Sequence, residues 1–290
     1  MALPEIDILP LTPNAVGEGI LWCEHSQSLW WVDIRAPSLH RFWPETGRSE
    51  HWEMPQTIGC LALTEATGII VALKAGLHLF DPESGALSLL TSLAGEPPGN
   101  RPNDGAVSRS GRFFVGTMPE HDRSKPTGQV HRLDGTVARP LLGGLHITNG
   151  LAFSPDDRTA YLSDSWPDVQ TIWAFDHDPE DGALSGQRLF FDCAATAGRP
   201  DGACVDTDGC YWMAGVGGSE VLRITPKGDV DRRIPLPVSM PTKPCFGGPD
   251  LRTLFITSIG LNSNAPSPDG RVIAIDAGFQ GVPEARCAVP

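Results

Sequence analysis

Apolar residues along the chain recur as short paired runs separated by turns. Representative units are GEGILWCEHSQSLWWVDI (17–34), IGCLALTEATGIIVALK (58–74), NDGAVSRSGRFFVGTM (103–118) and PDGACVDTDGCYWMAGV (200–216). ITNGLAFSPDDRTAYLSDS (147–165) and PTKPCFGGPDLRTLFITSI (241–259) align on a shared Pro-Asp turn followed by Arg-Thr. Each unit is a β-rich run, a turn and a second β-rich run, often followed by a third short strand such as VLRITPKGDV (221–230). No 3.6-residue periodicity is present, so helical solenoids are excluded. The units start at residues 19, 59, 105, 150, 202 and 244, with spacings of 40, 46, 45, 52 and 42. Several strands per period of ~40–50 residues predict propeller blades. The expected fold is therefore all-β: one six-bladed β-propeller domain over residues 1–290. Closure is expected from an N-terminal strand near 5–11 completing the last blade beside VIAIDAG (272–278).

Composition supports this picture. Gly 32 and Pro 27 punctuate the 290 residues, and 40% hydrophobic against 20% charged residues suffices for a core. Lys+Arg 22 against Asp+Glu 35 gives a formal charge of −13. That balance argues against nucleic acid or an anionic membrane as partner. MALPEIDILPLTP lacks a basic leader region, and no run approaches the ~18 apolar residues of a spanning helix, so a cytoplasmic protein is expected. The seven cysteines contain no CxxC pair and read as reduced, mostly buried thiols.

In a propeller the first strand of each blade lies nearest the axis. The residue just before each first strand is Glu18, Ile58, Asp104, Asn149, Asp201 and Lys243. A polar residue before glycine ordinarily just makes a turn. Acids and an amide sharing one register of a ring point instead to a site. Glu18, Asn149 and Asp201 offer two carboxylates and an amide oxygen, a hard-oxygen set suited to Ca²⁺, Mg²⁺ or Mn²⁺. Without a cation, acids crowded there repel one another and their pKa values rise. No GxSxG elbow and no HExxH motif occurs, and the eight histidines are scattered. Gly215-Val216-Gly217-Gly218 follows a β run with no helix after it, so it is a loop between strands and not a phosphate cradle. Trp22, Trp30, Trp31 and Trp212 lie in β runs and are expected in blade packing.

GEG (17–19), RPNDG (101–105), TNGLAFSPD (148–156), RPDGACVDTDGCYW (199–212) and FGGPDLRTLFITS (246–258), in this order on a six-fold repeat, resemble the SMP-30/gluconolactonase/LRE-like family of regucalcin-like sugar lactonases. The resemblance implies one divalent metal in the channel, held by Glu18, Asn149 and Asp201. The ion expected first is Ca²⁺, with Zn²⁺, Mn²⁺, Mg²⁺ or Fe²⁺ as alternatives. It further implies substrate contacts from Arg101 and Asn103, where the register pointed to Asp104. A bulge or turn over 101–105 would let Asn103 face the channel while Asp104 braces the loop. The acidic substrate contact that relatives carry after Gly-Thr-Met falls on Glu120 or His121, a departure from the family pattern.

The expected chemistry is hydrolysis of a sugar (aldono) lactone to its acid, with Asp201 as general base. Arg101 suits sugar hydroxyls or a developing oxyanion, and Asn103 suits a polyhydroxylated ring. The expected partner is a small-molecule lactone, and the chain is expected as a monomer or weak homo-oligomer. Two other readings are a promiscuous esterase or organophosphate hydrolase on the same fold and a non-catalytic binding propeller.

Overall fold

The computed structural model describes residues 5–66, 68–260 and 267–289; the outermost residues of the expected domain, 1–4 and 290, lie outside the described set. Six four-stranded antiparallel sheets follow one another. The first comprises β2 (Gly17–Cys23), β3 (Ser28–Asp33), β4 (Ser38–Trp43) and β5 (Arg48–Glu53); it follows the short β1 (Ile6–Ile8). The second comprises β6 (Ile58–Leu63), β7 (Ile69–Leu73), β8 (Gly76–Phe80) and β9 (Leu87–Thr91). The third comprises β10 (Asn100–Val107), β11 (Phe113–Pro119), β12 (Gly128–Asp134) and β13 (Val137–Leu145). The fourth comprises β14 (Thr148–Phe153), β15 (Thr159–Asp164), β16 (Thr171–His177) and β17 (Leu184–Asp192). The fifth comprises β18 (Arg199–Val205), β19 (Tyr211–Val216), β20 (Glu220–Ile224) and β21 (Val230–Pro235). The last comprises β22 (Pro241–Gly247), β23 (Thr253–Ser258) and β24 (Ile273–Asp276), and β1 is its fourth strand. Ile6, Asp7 and Ile8 pair with Ile275, Ala274 and Ile273, so the ring closes by joining the two ends of the chain, as expected.

Inner strands β2, β6, β10, β14, β18 and β22 touch one another in sequence around the axis, and β22 returns to β2. Both of their faces are largely covered, so polar residues of β10, β18 and β22 lie buried, while second strands such as β7 (IIVAL) and β19 (YWMAGV) read as unbroken apolar runs. Outer strands such as β5 are largely exposed and carry charges, as edge strands must. The four tryptophans named above are buried in the cores between sheets, and Gly217 and Gly218 form the turn between β19 and β20. Residues 280–288 tie across one end of the channel through backbone bonds from Cys287 to Leu63 (2.7 Å), Ala288 to Gly111 (2.9 Å) and Gly281 to Leu251 (2.8 Å).

Every inner strand slips by one residue at the same place. The slips fall between Glu18 and Leu21, Ile58 and Leu61, Pro102 and Gly105, Asn149 and Ala152, Pro200 and Ala203, and Pro241 and Pro244. Such bulges re-aim side chains. They also correct the single register read from sequence. Glu18, Ile58 and Asn149 are the last paired residues before the slip, Asn103 and Asp201 are the first unpaired ones, and Asp104 and Lys243 are the second. One residue after the first unpaired position, Asp104 of the third blade meets Lys243 of the sixth, directly across the ring. Asp104 also accepts the Leu151 amide (2.9 Å), and Lys243 donates to the Gly105 carbonyl (3.1 Å).

Both ion-pair partners are buried, and an uncompensated charge there is costly. Lys243→Met is expected to lower stability by about 3–5 kcal/mol, with much of that loss recovered in the double variant with Asp104→Asn. Denaturant unfolding of the three variants measures both effects; a neutral Lys243→Met would remove the axial pair from its structural role.

A carboxylate–amide centre in the axial channel

Two glycines set the local backbone at the centre. Gly19 and Gly150, immediately after Glu18 and Asn149, have φ of +59° and +63°. This conformation belongs to glycine and lets the strand bulge without a turn. A Cβ at Gly150 would also stand 2.2 Å from the Tyr211 hydroxyl, which donates to the Gly150 carbonyl at 2.8 Å. The polar-residue–glycine pairs are thus parts of strands whose bulge aims the preceding side chain.

The loops above are pinned by two equivalent aspartates. Asp33, ending β3, accepts the amides of Ala15 (2.6 Å), Val16, Arg35 and Ala36 (each 3.0 Å). Asp164, ending β15, likewise accepts those of His146 (2.8 Å), Ile147 (3.0 Å) and Trp166 (3.0 Å). These two caps fix the entries to β2 and β14, and with them Glu18 and Asn149.

A cavity of about 250 Å³ opens at the end of the channel opposite residues 280–288. Glu18, Arg101, Asn103, Asn149 and Asp201 line it together. A hydrogen-bond chain orders its polar side. Arg101 Nη1 donates to Asn103 Oδ1 (2.8 Å), and Asn103 Nδ2 donates to Asn149 Oδ1 (2.8 Å) and the Thr148 carbonyl (2.9 Å). Asn149 Nδ2 donates to Ser165 Oγ (2.8 Å), which in turn donates to the Pro200 carbonyl. The chain fixes the Asn149 amide and leaves its oxygen one further lone pair. It also occupies both donors of Asn103, so that residue holds Asn149 in place as well as lining the cavity.

The two carboxylates have no such partners. The Gly19 amide reaches Glu18 Oε2 at 3.2 Å, and no hydrogen bond engages the Asp201 carboxylate among the described residues. Burial, then the charge of Asp104, raises Glu18 to about 7, against the pull of Lys243. Burial, then Glu18 and Asp104, holds Asp201 well above the ordinary aspartate value. Buried acids in this condition are offset by a cation or by protonation. Two carboxylates and a fixed amide oxygen form a hard-oxygen set that fits a divalent ion, with positions to spare for water or ligand. Among the described residues, no three His, Cys, Asp or Glu side chains group to hold a metal, so the amide is integral to the set.

Glu120 stands apart. It follows β11, is bonded to Lys74, and is not among the cavity-lining residues; this pairing holds its carboxyl below the usual range. His121 is exposed. Three charged cavity residues, Arg35, Arg123 and Arg199, and the hydroxyl of Ser165 escaped the sequence pattern. A signal existed for one of them, since Arg199-Pro200-Asp201 in the fifth blade repeats Arg101-Pro102-Asn103 in the third. Asp104 braces the loop through its bonds to Lys243 and Leu151, while Asn103 lines the cavity.

Fold and channel together define a six-bladed propeller with an acidic, oxygen-rich centre on its axis. The family model described as SMP-30/gluconolactonase/LRE-like region matches residues 16–260, and the chain belongs to that family. It is 41% identical over 257 residues to 6-deoxy-6-sulfogluconolactonase of Pseudomonas putida, covering 87% of this chain and 86% of that protein. It is 33% identical to L-arabinolactonase of Azospirillum brasilense, covering 97% and 95% of the two. Among solved structures, that of regucalcin from Agrobacterium tumefaciens, described as a calcium-binding protein, superposes with a TM-score of 0.90 at 28% identity, over 99% of each chain.

The crowding of Glu18 sets stability against binding. At pH 8, above the value to which Glu18 is raised, Glu18→Gln is expected to raise the melting temperature of cation-free protein by removing a buried, repelled charge. The same variant is expected to weaken divalent-cation binding by about tenfold or more. Thermal unfolding with and without chelator, together with calorimetric titration of Ca²⁺ and Mn²⁺, measures both; a destabilised cation-free variant would contradict the repulsion.

Proposed function

We propose that the channel centre is the active site of a sugar lactonase that hydrolyses an aldonolactone to its aldonic acid. The observation that carries this reading is the pair of buried carboxylates, Glu18 and Asp201, left unneutralised beside a fixed amide in a cavity sized for one small ring. The two curated relatives above are named as sugar lactonases.

Glu18, Asn149 and Asp201 would hold one divalent cation, Ca²⁺ foremost. When bound, it supplies Lewis-acid polarisation and charge stabilisation at the ester. The chain's own residues supply the rest. Asp201 takes a proton from a cavity water as that water adds to the lactone carbonyl. Burial, then the charges of Glu18 and Asp104, raises its affinity for a proton above that of an ordinary aspartate, which favours proton uptake from the water. Collapse of the tetrahedral adduct breaks the ring C–O bond, and the same proton passes to the leaving ring oxygen. Arg101 has Nε and Nη2 free of partners among the described residues, because Nη1 alone carries its bonds to Pro102 and Asn103. These donors suit the developing oxyanion or a ring hydroxyl. Asn103 keeps one oxygen lone pair for a sugar hydroxyl and holds Asn149 in position.

Proton release on γ- and δ-aldonolactones, using chelator-stripped protein with single divalent ions added back, tests the reading. Turnover restored by an ion is expected; silence on every lactone with every ion would overturn it. Asp201→Ala is expected to lose cation affinity and at least about a hundredfold in kcat together. An active, cation-loaded variant would remove Asp201 from the base role. Asn103→Ala is expected to raise KM and to weaken the cation less than Asn149→Ala does, as kinetics and titration of the two variants would show.

A further inference from the structure

Three arginines at the mouth of the cavity have no part in the reaction just described. We propose that Arg35, Arg123 and Arg199 form an anion-binding collar that selects lactones carrying a tetrahedral oxyanion, sulfonate or phosphate, on the carbon chain away from the ester. The proposal rests on the reading of the channel as a lactone site and names the substrate class of that site.

All three side chains line the same cavity as Glu18 and Asp201, yet they come from different blades. Arg35 follows β3, Arg123 lies between β11 and β12, and Arg199 opens β18. Among the described residues, no hydrogen bond or ion pair engages any of their guanidinium groups. Arg199 lies two residues before Asp201 and its charge pulls against the rise of that carboxyl, without an ion pair between them. The acids nearest in sequence to Arg35 and Arg123 are committed elsewhere. Asp33 is taken by four backbone amides, Asp122 by Ser124 (2.6 Å) and Lys125 (3.1 Å), and Glu120 by Lys74. Glu18 and Asp201 face the same cavity, but their charge is the one a divalent cation offsets.

The cations feel one another. Burial, then the charge of Arg123, lowers Arg101 to about 10, and burial followed by the charges of Arg35 and Arg199 lowers Arg123. In a chain of formal charge −13, three neighbouring arginines that form no ion pair with any acid among the described residues stand out, because acids are the commoner partners available. An anion relieves the repulsion and meets donor forks suited to its geometry. A sulfonate or phosphate presents three oxygens to three guanidiniums. The carboxylate formed by hydrolysis arises instead at the acidic centre, beside Arg101, and does not account for the collar.

The test compares three hexonolactones that differ only at C6, bearing hydroxyl, sulfonate or phosphate, with the same divalent ion. The expected result is a kcat/KM at least about tenfold higher for one of the anionic lactones, mainly through KM, with a preference that shrinks as salt rises. Which of the two is preferred identifies the source of the oxyanion. Arg123→Gln and Arg199→Gln are each expected to lower that preference by about tenfold, with partial rescue in Arg123→Lys. Equal or better use of the hydroxyl lactone would overturn the collar. Calorimetric binding of the corresponding open-chain aldonates separates this proposal from the reading it rests on. If no lactone is hydrolysed but an anionic aldonate binds about tenfold tighter than gluconate, and Arg123→Gln abolishes the difference, the lactonase reading falls and the collar stands. Equal binding of the neutral and anionic aldonates overturns the collar whatever the turnover.

Discussion

Six inner strands crowd around one axis, and their polar side chains must be neutralised in a space that excludes bulk water. The Asp104–Lys243 ion pair does this for one pair of facing blades. It works because each strand bulges at the same step, placing the second unpaired residue of the third and sixth blades on opposite sides of the ring. Leu151 donates to the second oxygen of Asp104 and the Gly105 carbonyl accepts from Lys243, so both charged groups of the pair are held by hydrogen bonds as well as by each other. Its two charges cancel, so Lys243 is committed and only partly offsets Glu18 and Asp201.

That commitment gives the two remaining carboxylates their character. A second buried lysine would turn the centre into another structural ion pair. Instead the excess acid is kept, and the hydrogen-bond chain from Arg101 through Asn103, Asn149 and Ser165 stiffens the amide beside it. On the reading proposed above, such a centre would cost the cation-free fold stability and gain a divalent ion, the usual exchange of stability for function at a preorganised site.

The period and closure of the propeller were legible because buried second strands such as β3, β7 and β19 stand out as apolar runs behind Gly- and Asp-containing first strands. The fourth strands were not, because segments such as Arg48–Glu53 and Leu184–Asp192 lie at the rim with mixed polarity. Glu18 and Asn149 were legible through the glycine that follows each. The register slipped by one position at Asp201 and by two at Asp104 and Lys243, since where a residue falls relative to the bulge leaves no mark in hydrophobicity. The Glu120 environment was not legible: Lys74, forty-six residues earlier, is bonded to it through a contact that only the fold creates. Arg35 and Arg123 escaped for the same reason, brought to the cavity by the ring rather than by spacing, whereas Arg199 carried a signal in the repeated Arg-Pro pair.

The placement of charge gives the channel a direction. Acids lie at its base and guanidiniums at its rim, within a protein whose net charge is strongly negative. At physiological salt the field of distant surface carboxylates fades within about 8 Å, so the rim rather than the net charge governs an anion once it reaches the mouth. An anionic group held at the rim keeps its own charge away from Glu18 and Asp201, which would repel it. On the reading proposed above, the remainder of such a molecule would be turned toward the centre, with its ester beside Glu18, Asn149 and Asp201. Orientation of this kind acts through position as well as affinity, because a bound ring that cannot reverse spends less of its binding in unproductive poses.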